Sequence, residues 1–141
     1  MKRFIKCVCV ILVLTMVLPV AASAAGIQNS RASYYFAAST AYLNYTSATT
    51  FQVCFSVTAT GIMDELGASA ITVQRRASEN DPWESVKTYY SSTYTNLIDY
   101  DQATHSAYVT YYGTSGYEYR AYIQLHAKND SGEAWYPRYA Y

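Results

Sequence analysis

The chain has 141 residues, of which 51% are apolar, and its ten basic residues balance its ten acidic ones. This length suits one ordinary domain, and the even charge argues against the basic surface that nucleic-acid binding requires. Tyrosine occurs 17 times, and because tyrosine favours strands the composition is typical of an all-β domain.

The first 24 residues have the order of a secretory signal peptide. Three basic residues among the first six precede an apolar run at 8–18, and Pro19 and the small residues Ala22 and Ala24 follow it. We therefore predict that residues 1–24 are removed and that the protein is secreted and extracellular, with no membrane attachment afterwards. An uncleaved membrane anchor is the alternative, but the run is shorter than the about 20 apolar residues that span a bilayer.

Removal of the signal leaves a mildly acidic chain with one cysteine. Seven basic residues then stand against ten acidic ones, a formal charge of −3. Two of the three cysteines lie in the signal, so Cys54 has no partner for an internal disulfide and the fold must depend on its core. Cys54 is expected to be a quiet, half-buried thiol, with a disulfide between two chains as the alternative.

After a flexible N-terminus at 25–32, a single domain is predicted at 33–141. Alternating apolar and polar residues predict strands in this domain. The alternation is clearest at 117–128, where odd positions are apolar and even positions are polar. The predicted strands are 33–45, 51–58, 71–76, 83–89, 105–112, 117–128 and 133–141. The segment 60–67 breaks the alternation and is predicted to be a structured loop with room for one helical turn. Pro137 cannot donate to a ladder, which predicts an edge or bulged position for the last strand.

About seven strands at this spacing predict a two-layer antiparallel β-sandwich, because two stacked sheets bury both inner faces. The segments 117–121 and 127–132 resemble strand F and the F–G turn of immunoglobulin-like and fibronectin-type-III-like sandwiches. The segment 71–75, with Trp83 and Val86, resembles strands C and C′ of the same folds. The resemblance implies an immunoglobulin-like layout, although the cysteine pair of immunoglobulins is absent.

The whole chain is similar in layout to small secreted Gram-positive bacterial proteins of an uncharacterised family. The similarity lies in the signal ending near 24–27, in the segment 60–68 and in the tyrosine-rich strand before the C-terminus. It implies export and a β-rich domain, and it implies no activity.

A calcium site is one hypothesis for the loops. In an immunoglobulin-like layout the B–C and F–G loops lie at one end, which is predicted to bring Asp64 and Glu65 near Asp130. Carboxylate oxygens suit Ca²⁺, the one cofactor considered, although the spacing matches no known calcium loop. The alternative is that Asp64 caps a short turn and Asp130 forms an Asx-turn.

No catalytic constellation stands out in the sequence. His105 and His126 are the only histidines, and no Ser, Cys or Asp is placed by a motif to form a nucleophile–base pair with them. The protein is therefore predicted not to be an enzyme.

Outward-facing side chains beside tyrosine are the candidate ligand-binding residues: Tyr108, Tyr112, Arg120, Tyr122 and His126. Exposed aromatic rings next to hydrogen-bonding groups bind sugar rings or other proteins. The alternative is that these tyrosines only cover apolar sheet surface and point their hydroxyls to water. The sequence predicts a secreted, non-enzymatic binding or interaction module for an unknown extracellular protein or polysaccharide. A carbohydrate-binding module is the first alternative, and a small secreted hydrolase is the second.

Overall fold

The computed structural model describes residues 34–141, which contain eight strands and a short 3-10 helix, Thr95–Leu97. The strands are β1 (Phe36–Tyr45), β2 (Thr50–Met63), β3 (Glu65–Arg76), β4 (Glu84–Tyr90), β5 (Ile98–Asp99), β6 (Gln102–Tyr112), β7 (Glu118–Asn129) and β8 (Gly132–Ala140). The predicted signal peptide 1–24 and N-terminus 25–32 lie outside the described residues. Within residues 34–141, no helix has the length and apolar character needed to cross a membrane.

The strands form two antiparallel sheets that pack face to face. One sheet has the order β1-β2-β6, and the other has the order β4-β3-β7-β8, with β5 beside β3. This confirms the predicted β-sandwich and its seven long strands; the two-residue β5 is an addition. The strands β1, β2 and β6 occupy the A, B and E positions of an immunoglobulin-like sandwich, and β3, β7 and β8 occupy C, F and G. Strand β4 takes the C′ position, and β8 is an edge strand, as Pro137 predicted.

The core lies between the sheets and is built from alternate residues of the long strands. In β2, the side chains of Phe51, Val53, Phe55 and Val57 are at most 2% exposed, whereas the residues between them are half-buried. Each such burial contributes about 1.5–3 kcal/mol, which is how a domain without a disulfide is held together. Strand β7 contributes its odd positions in the same way, as predicted.

The prediction of a loop at 60–67 is wrong, because β2 runs to Met63 and β3 starts at Glu65. The register of β2 against β6 shifts between Thr58 and Met63, so the alternation is interrupted without the strand ending. Met63 and Leu66 are both buried on either side of Asp64. The chain therefore passes from one sheet to the other in extended conformation, and the irregular pattern reflects this change of sheet.

Tyr119 fastens the turn that leads from β6 into β7. Its hydroxyl accepts a hydrogen bond from the Thr114 N–H at 2.7 Å and donates one to the Thr114 carbonyl at 3.1 Å. Its ring packs on Phe51 of the opposite sheet, with the ring centroids 5.2 Å apart. This arrangement is the tyrosine corner of immunoglobulin-like sandwiches, at the same E–F position.

Candidate functional site: the outer face of the four-stranded sheet

The outer face of the β4-β3-β7-β8 sheet carries polar and aromatic side chains from neighbouring strands. Directly paired residues of neighbouring strands point to the same face. On β8, Tyr139 therefore stands beside Tyr122, Trp135 beside His126, and Glu133 beside Lys128.

The structure places three of the five predicted ligand-binding residues on this face and two elsewhere. Arg120, Tyr122 and His126 lie at even-numbered, outward-facing positions of β7, as predicted. His126 is nevertheless only 7% exposed. Tyr108 and Tyr112 lie on β6 in the other sheet, where they are 53% and 78% exposed. Because the outer faces of the two sheets point away from each other, the five residues do not form one surface.

At the β4 end of this face, the aromatic rings are already covered by cationic side chains. The Arg120 guanidinium lies 4.4 Å from the ring centroid of Trp83 and 4.8 Å from that of Tyr139, and its Nε donates to Gln74 Oε1 at 2.8 Å. The guanidinium of Arg76 lies 4.6 Å from the Trp83 ring as well. These cation–π contacts cover the Trp83 ring with two arginines and one face of the Tyr139 ring with Arg120, and Tyr139 stays 45% exposed.

At the other end, acidic and basic side chains alternate around His126. His126 Nε2 is 3.1 Å from Glu133 Oε2, and its Nδ1 is 3.8 Å from Glu65 Oε2. Lys128 donates to Glu65 Oε1 at 3.2 Å, and this hydrogen bond, with the charge of the same carboxylate and of Glu133, raises the pKa of Lys128. The Trp135 ring stacks on the His126 ring at 5.2 Å and 27°. The ring contact and the carboxylates explain why an outward histidine is buried.

The predicted calcium ligands do not meet in a metal site. Glu65 contacts Lys128 and His126, so basic side chains occupy the space between the carboxylates of this region. Across residues 34–141, His, Cys, Asp and Glu side chains form no group of three or more that could hold a metal ion, and Asp64, Glu65 and Asp130 are among the residues searched. In the β7–β8 turn the Asx-type hydrogen bond comes from Asn129, whose Oδ1 accepts from the Ser131 N–H at 2.9 Å, and not from Asp130.

A pocket of about 330 Å³ opens beside Trp135, between β8 and the segment that follows β4. We call it the Trp135 pocket. Among the residues that line it are Glu65, Ser69, Tyr100, His126, Glu133 and Trp135. It combines an aromatic ring, two carboxylates and hydroxyl groups, and it therefore suits a ligand with both apolar and hydrogen-bonding surface.

A row of apolar side chains continues from this pocket along the outer side of the edge strand. We call Trp135, Pro137, Tyr139 and Tyr141 the β8 stripe; its aromatic members are 47%, 45% and 70% exposed in that order. The sequence reasoning missed it because it used Pro137 only to place the strand at an edge. The sequence does show the pattern, since the stripe residues alternate with Tyr136, Arg138 and Ala140 at the two-residue period of a strand.

The contacts of the histidines and of Cys54 do not make a catalytic pair. His105 Nε2 is hydrogen-bonded to the Asn96 carbonyl at 2.9 Å, and His126 contacts carboxylates. Cys54 is half-buried on the outer face of the other sheet, as predicted, and burial raises the pKa of its thiol. In residues 34–141 no hydrogen bond joins a histidine to a Ser or Thr hydroxyl or a Cys thiol.

Comparisons with protein-family models, with curated proteins and with solved structures found no match. The immunoglobulin-like order of the strands is therefore a similarity of fold alone. The similarity to small secreted Gram-positive proteins stays an expectation from the sequence.

Proposed function

We propose that this protein is a secreted, non-enzymatic module that binds an extracellular ligand on the outer face of its four-stranded sheet. The observation that carries the proposal is the β8 stripe, whose three aromatic side chains are 45–70% exposed. Large exposed apolar patches rimmed by polar residues commonly mark interaction sites. The seven residues from Trp135 to Tyr141 span about 20 Å of extended chain, which is long enough for a chain-like ligand.

The chemistry around the stripe favours a polysaccharide as that ligand. Sugar rings present C–H faces that pack on aromatic rings, and their hydroxyls need hydrogen-bonding partners at the ring edges. The stripe supplies the aromatic rings, and Gln124, Lys128 and Glu133 on the same face supply donors and acceptors. A protein partner is the alternative occupant, since exposed aromatic residues are also common in protein interfaces.

A hydrolase is the remaining alternative from the sequence. No contact among the described residues favours it, because neither histidine is hydrogen-bonded to a Ser or Thr hydroxyl or to the Cys54 thiol, which would be the nucleophile. A hydrolase would turn over glycoside, ester or peptide substrates, whereas a binding module would retain its ligand unchanged.

Retention on insoluble polysaccharides tests the proposal. The purified protein is incubated with a panel of such polysaccharides, and the protein left in solution is measured. The double variant Trp135→Ala/Tyr141→Ala is expected to lose retention. The variant Tyr112→Ala, which removes a tyrosine that is 78% exposed on the opposite sheet, is the control and is expected to keep it.

Retention that survives in the double variant would contradict the proposed binding face. Failure of every polysaccharide to retain the protein, with stripe-dependent capture of a protein ligand instead, would favour the protein partner over the polysaccharide. Release of products from any of the substrate classes would show an enzyme and overturn the proposal.

A further inference from the structure

The geometry points to a single non-acidic sugar residue as the occupant of the Trp135 pocket. This inference rests on the proposed function, because the pocket opens at one end of the β8 stripe and would hold one residue of a saccharide that lies along it. The pocket volume of about 330 Å³ is near the lower limit of small-molecule sites, so it suits one ring better than an extended chain.

The first support is a β-bulge that shapes the pocket. The register of β3 against β7 shifts between Ala68 and Ala70, which inserts Ser69 as an extra residue. Ser69 Oγ donates to the Gln124 carbonyl at 3.1 Å, and the Ser69 carbonyl accepts from the Ser91 N–H at 3.1 Å. Bulges of this kind re-aim side chains next to functional sites. Here the hydrogen bond between Ser69 and Ser91 joins the sheet to the segment after β4, which forms one wall of the pocket.

Gly67 brings the rest of that wall close to the sheet. A Cβ at Gly67 would lie 2.0 Å from the Leu97 carbonyl oxygen, and its φ of +154° favours glycine. Only a residue without a side chain allows the 3-10 helix and β5 to approach β3 this closely. The wall therefore depends on a residue that contributes no side chain to the pocket.

Trp135 provides the apolar surface of the pocket, and His126 positions it. The His126 ring is 7% exposed and stacks on the indole, which keeps 47% of the Trp135 residue exposed. The hydrogen-bond contact between His126 and Glu133 restrains the imidazole in turn. The exposed part of the indole is free to contact the C–H face of a sugar ring. His126 is thus a positioning residue.

The two carboxylates provide oriented acceptors for sugar hydroxyls. An ionised carboxylate has about four acceptor sites, and the contacts with Lys128 and His126 use only some of them on Glu65 and Glu133. Hydrogen bonds from hydroxyls to a carboxylate are charge-assisted and are stronger than those between neutral groups. The carboxylates are held in place before the ligand arrives, which lowers the entropy cost of binding.

The charge of the pocket determines which sugars it accepts. Glu65 and Glu133 line it, and neither a lysine nor an arginine does. Lys128 pairs with Glu65, but within residues 34–141 Glu133 forms no ion pair with a lysine or arginine. The carboxylate of an acidic sugar would therefore be repelled by the Glu133 carboxylate. The pocket should therefore select a sugar with free hydroxyls and no acidic group.

Fluorescence titration of the full protein tests this selection. The chain has two tryptophans, so the variant Trp83→Phe leaves Trp135 as the only reporter and keeps an aromatic ring under the arginines. Matched pairs of methyl glycosides serve as probes: glucoside against glucuronide, and galactoside against galacturonide. We expect at least one neutral glycoside to change the Trp135 emission saturably, with its acidic counterpart about tenfold weaker or more.

In the same background, Glu133→Gln is compared with Glu118→Gln. Glu118 lies at the start of β7, away from the pocket, and pairs with Arg76. Glu133→Gln should weaken the neutral glycoside about tenfold and reduce the disadvantage of the acidic one, whereas Glu118→Gln should change neither. Thermal unfolding of each variant checks that the fold is retained.

Three outcomes would overturn the inference: equal affinity for the acidic and neutral members of a pair, an equal effect of the two glutamate variants, or no saturable response to any glycoside. If stripe-dependent retention on a polysaccharide persists in that last case, only the pocket assignment fails. If retention fails as well, the proposed function fails with it.

Discussion

The tyrosine corner offers the sharpest test of how the two sheets are joined. The variant Tyr119→Phe removes the hydroxyl that accepts from the Thr114 N–H and donates to the Thr114 carbonyl, at 2.7 Å and 3.1 Å. It leaves the ring in place against Phe51 and Tyr111. The change therefore isolates two hydrogen bonds from the packing of a ring that is 8% exposed.

The expected loss follows from those two bonds. A typical intramolecular hydrogen bond contributes about 1 kcal/mol, and water can reach the exposed Thr114 backbone once the hydroxyl is gone. The free energy of unfolding should fall by about 1–2 kcal/mol, which for a domain of this size lowers the Tm by about 4–8 °C.

Urea unfolding followed by tryptophan fluorescence, with thermal unfolding by circular dichroism, measures the difference. Tyr117→Phe is the control, because Tyr117 is exposed and its hydroxyl makes no hydrogen bond within residues 34–141. The control should stay within about 0.5 kcal/mol of the parent. If Tyr119→Phe is as stable as Tyr117→Phe, the hydroxyl does not fasten the turn and the reasoning is refuted.

Three further variants test other parts of the structure. Gly67→Ala places a Cβ 2.0 Å from the Leu97 carbonyl and should lower the free energy of unfolding by about 2–3 kcal/mol in urea; Gly61→Ala, with open space around it, should change little, and equal effects would count against the close approach. Burial raises the pKa of Tyr89 to about 12, so the unfolded state loses its proton first. The stability that neutral Tyr89 contributes is complete below pH about 10 and lost as the pH rises to about 12; Tyr89→Phe should lose less stability over this range, and parallel losses in urea titrations would contradict the assignment. Arg120→Lys keeps the charge but removes planar stacking between two rings, and it should cost about 1 kcal/mol in thermal unfolding; an unchanged Tm would show that the stacking is not stabilising.

The long strands could be predicted because their alternation is undisturbed. In β2 the run from Phe51 to Val57, and in β7 the run from Tyr119 to Ala127, show the same faces in sequence and structure. The segment around Asp64 was misread because a register shift and a change of sheet interrupt the period there. A bulge is a property of the pairing between two strands, so one strand's sequence does not reveal it.

The candidate site was predictable in part. The alternation along β7 predicted that Arg120, Tyr122 and His126 share one face. Alternation does not tell which sheet another strand joins, and Tyr108 and Tyr112 lie on the other sheet. The burial of His126 also depends on Trp135, which the β7–β8 register brings next to it. Single-strand patterns carry no information about such partners.

The sequence alone determined that this domain is made of strands, because the pleat turns successive side chains to opposite sides and the side of each residue is a local property. It also limited Pro137 to an edge or a bulge, since a missing N–H is equally local. Tertiary structure alone decided that the rings near Arg120 are covered by cations while Trp135 borders an open pocket. Covering a ring requires residues from neighbouring strands, and their proximity depends on strand order, register and bulges across the whole sheet.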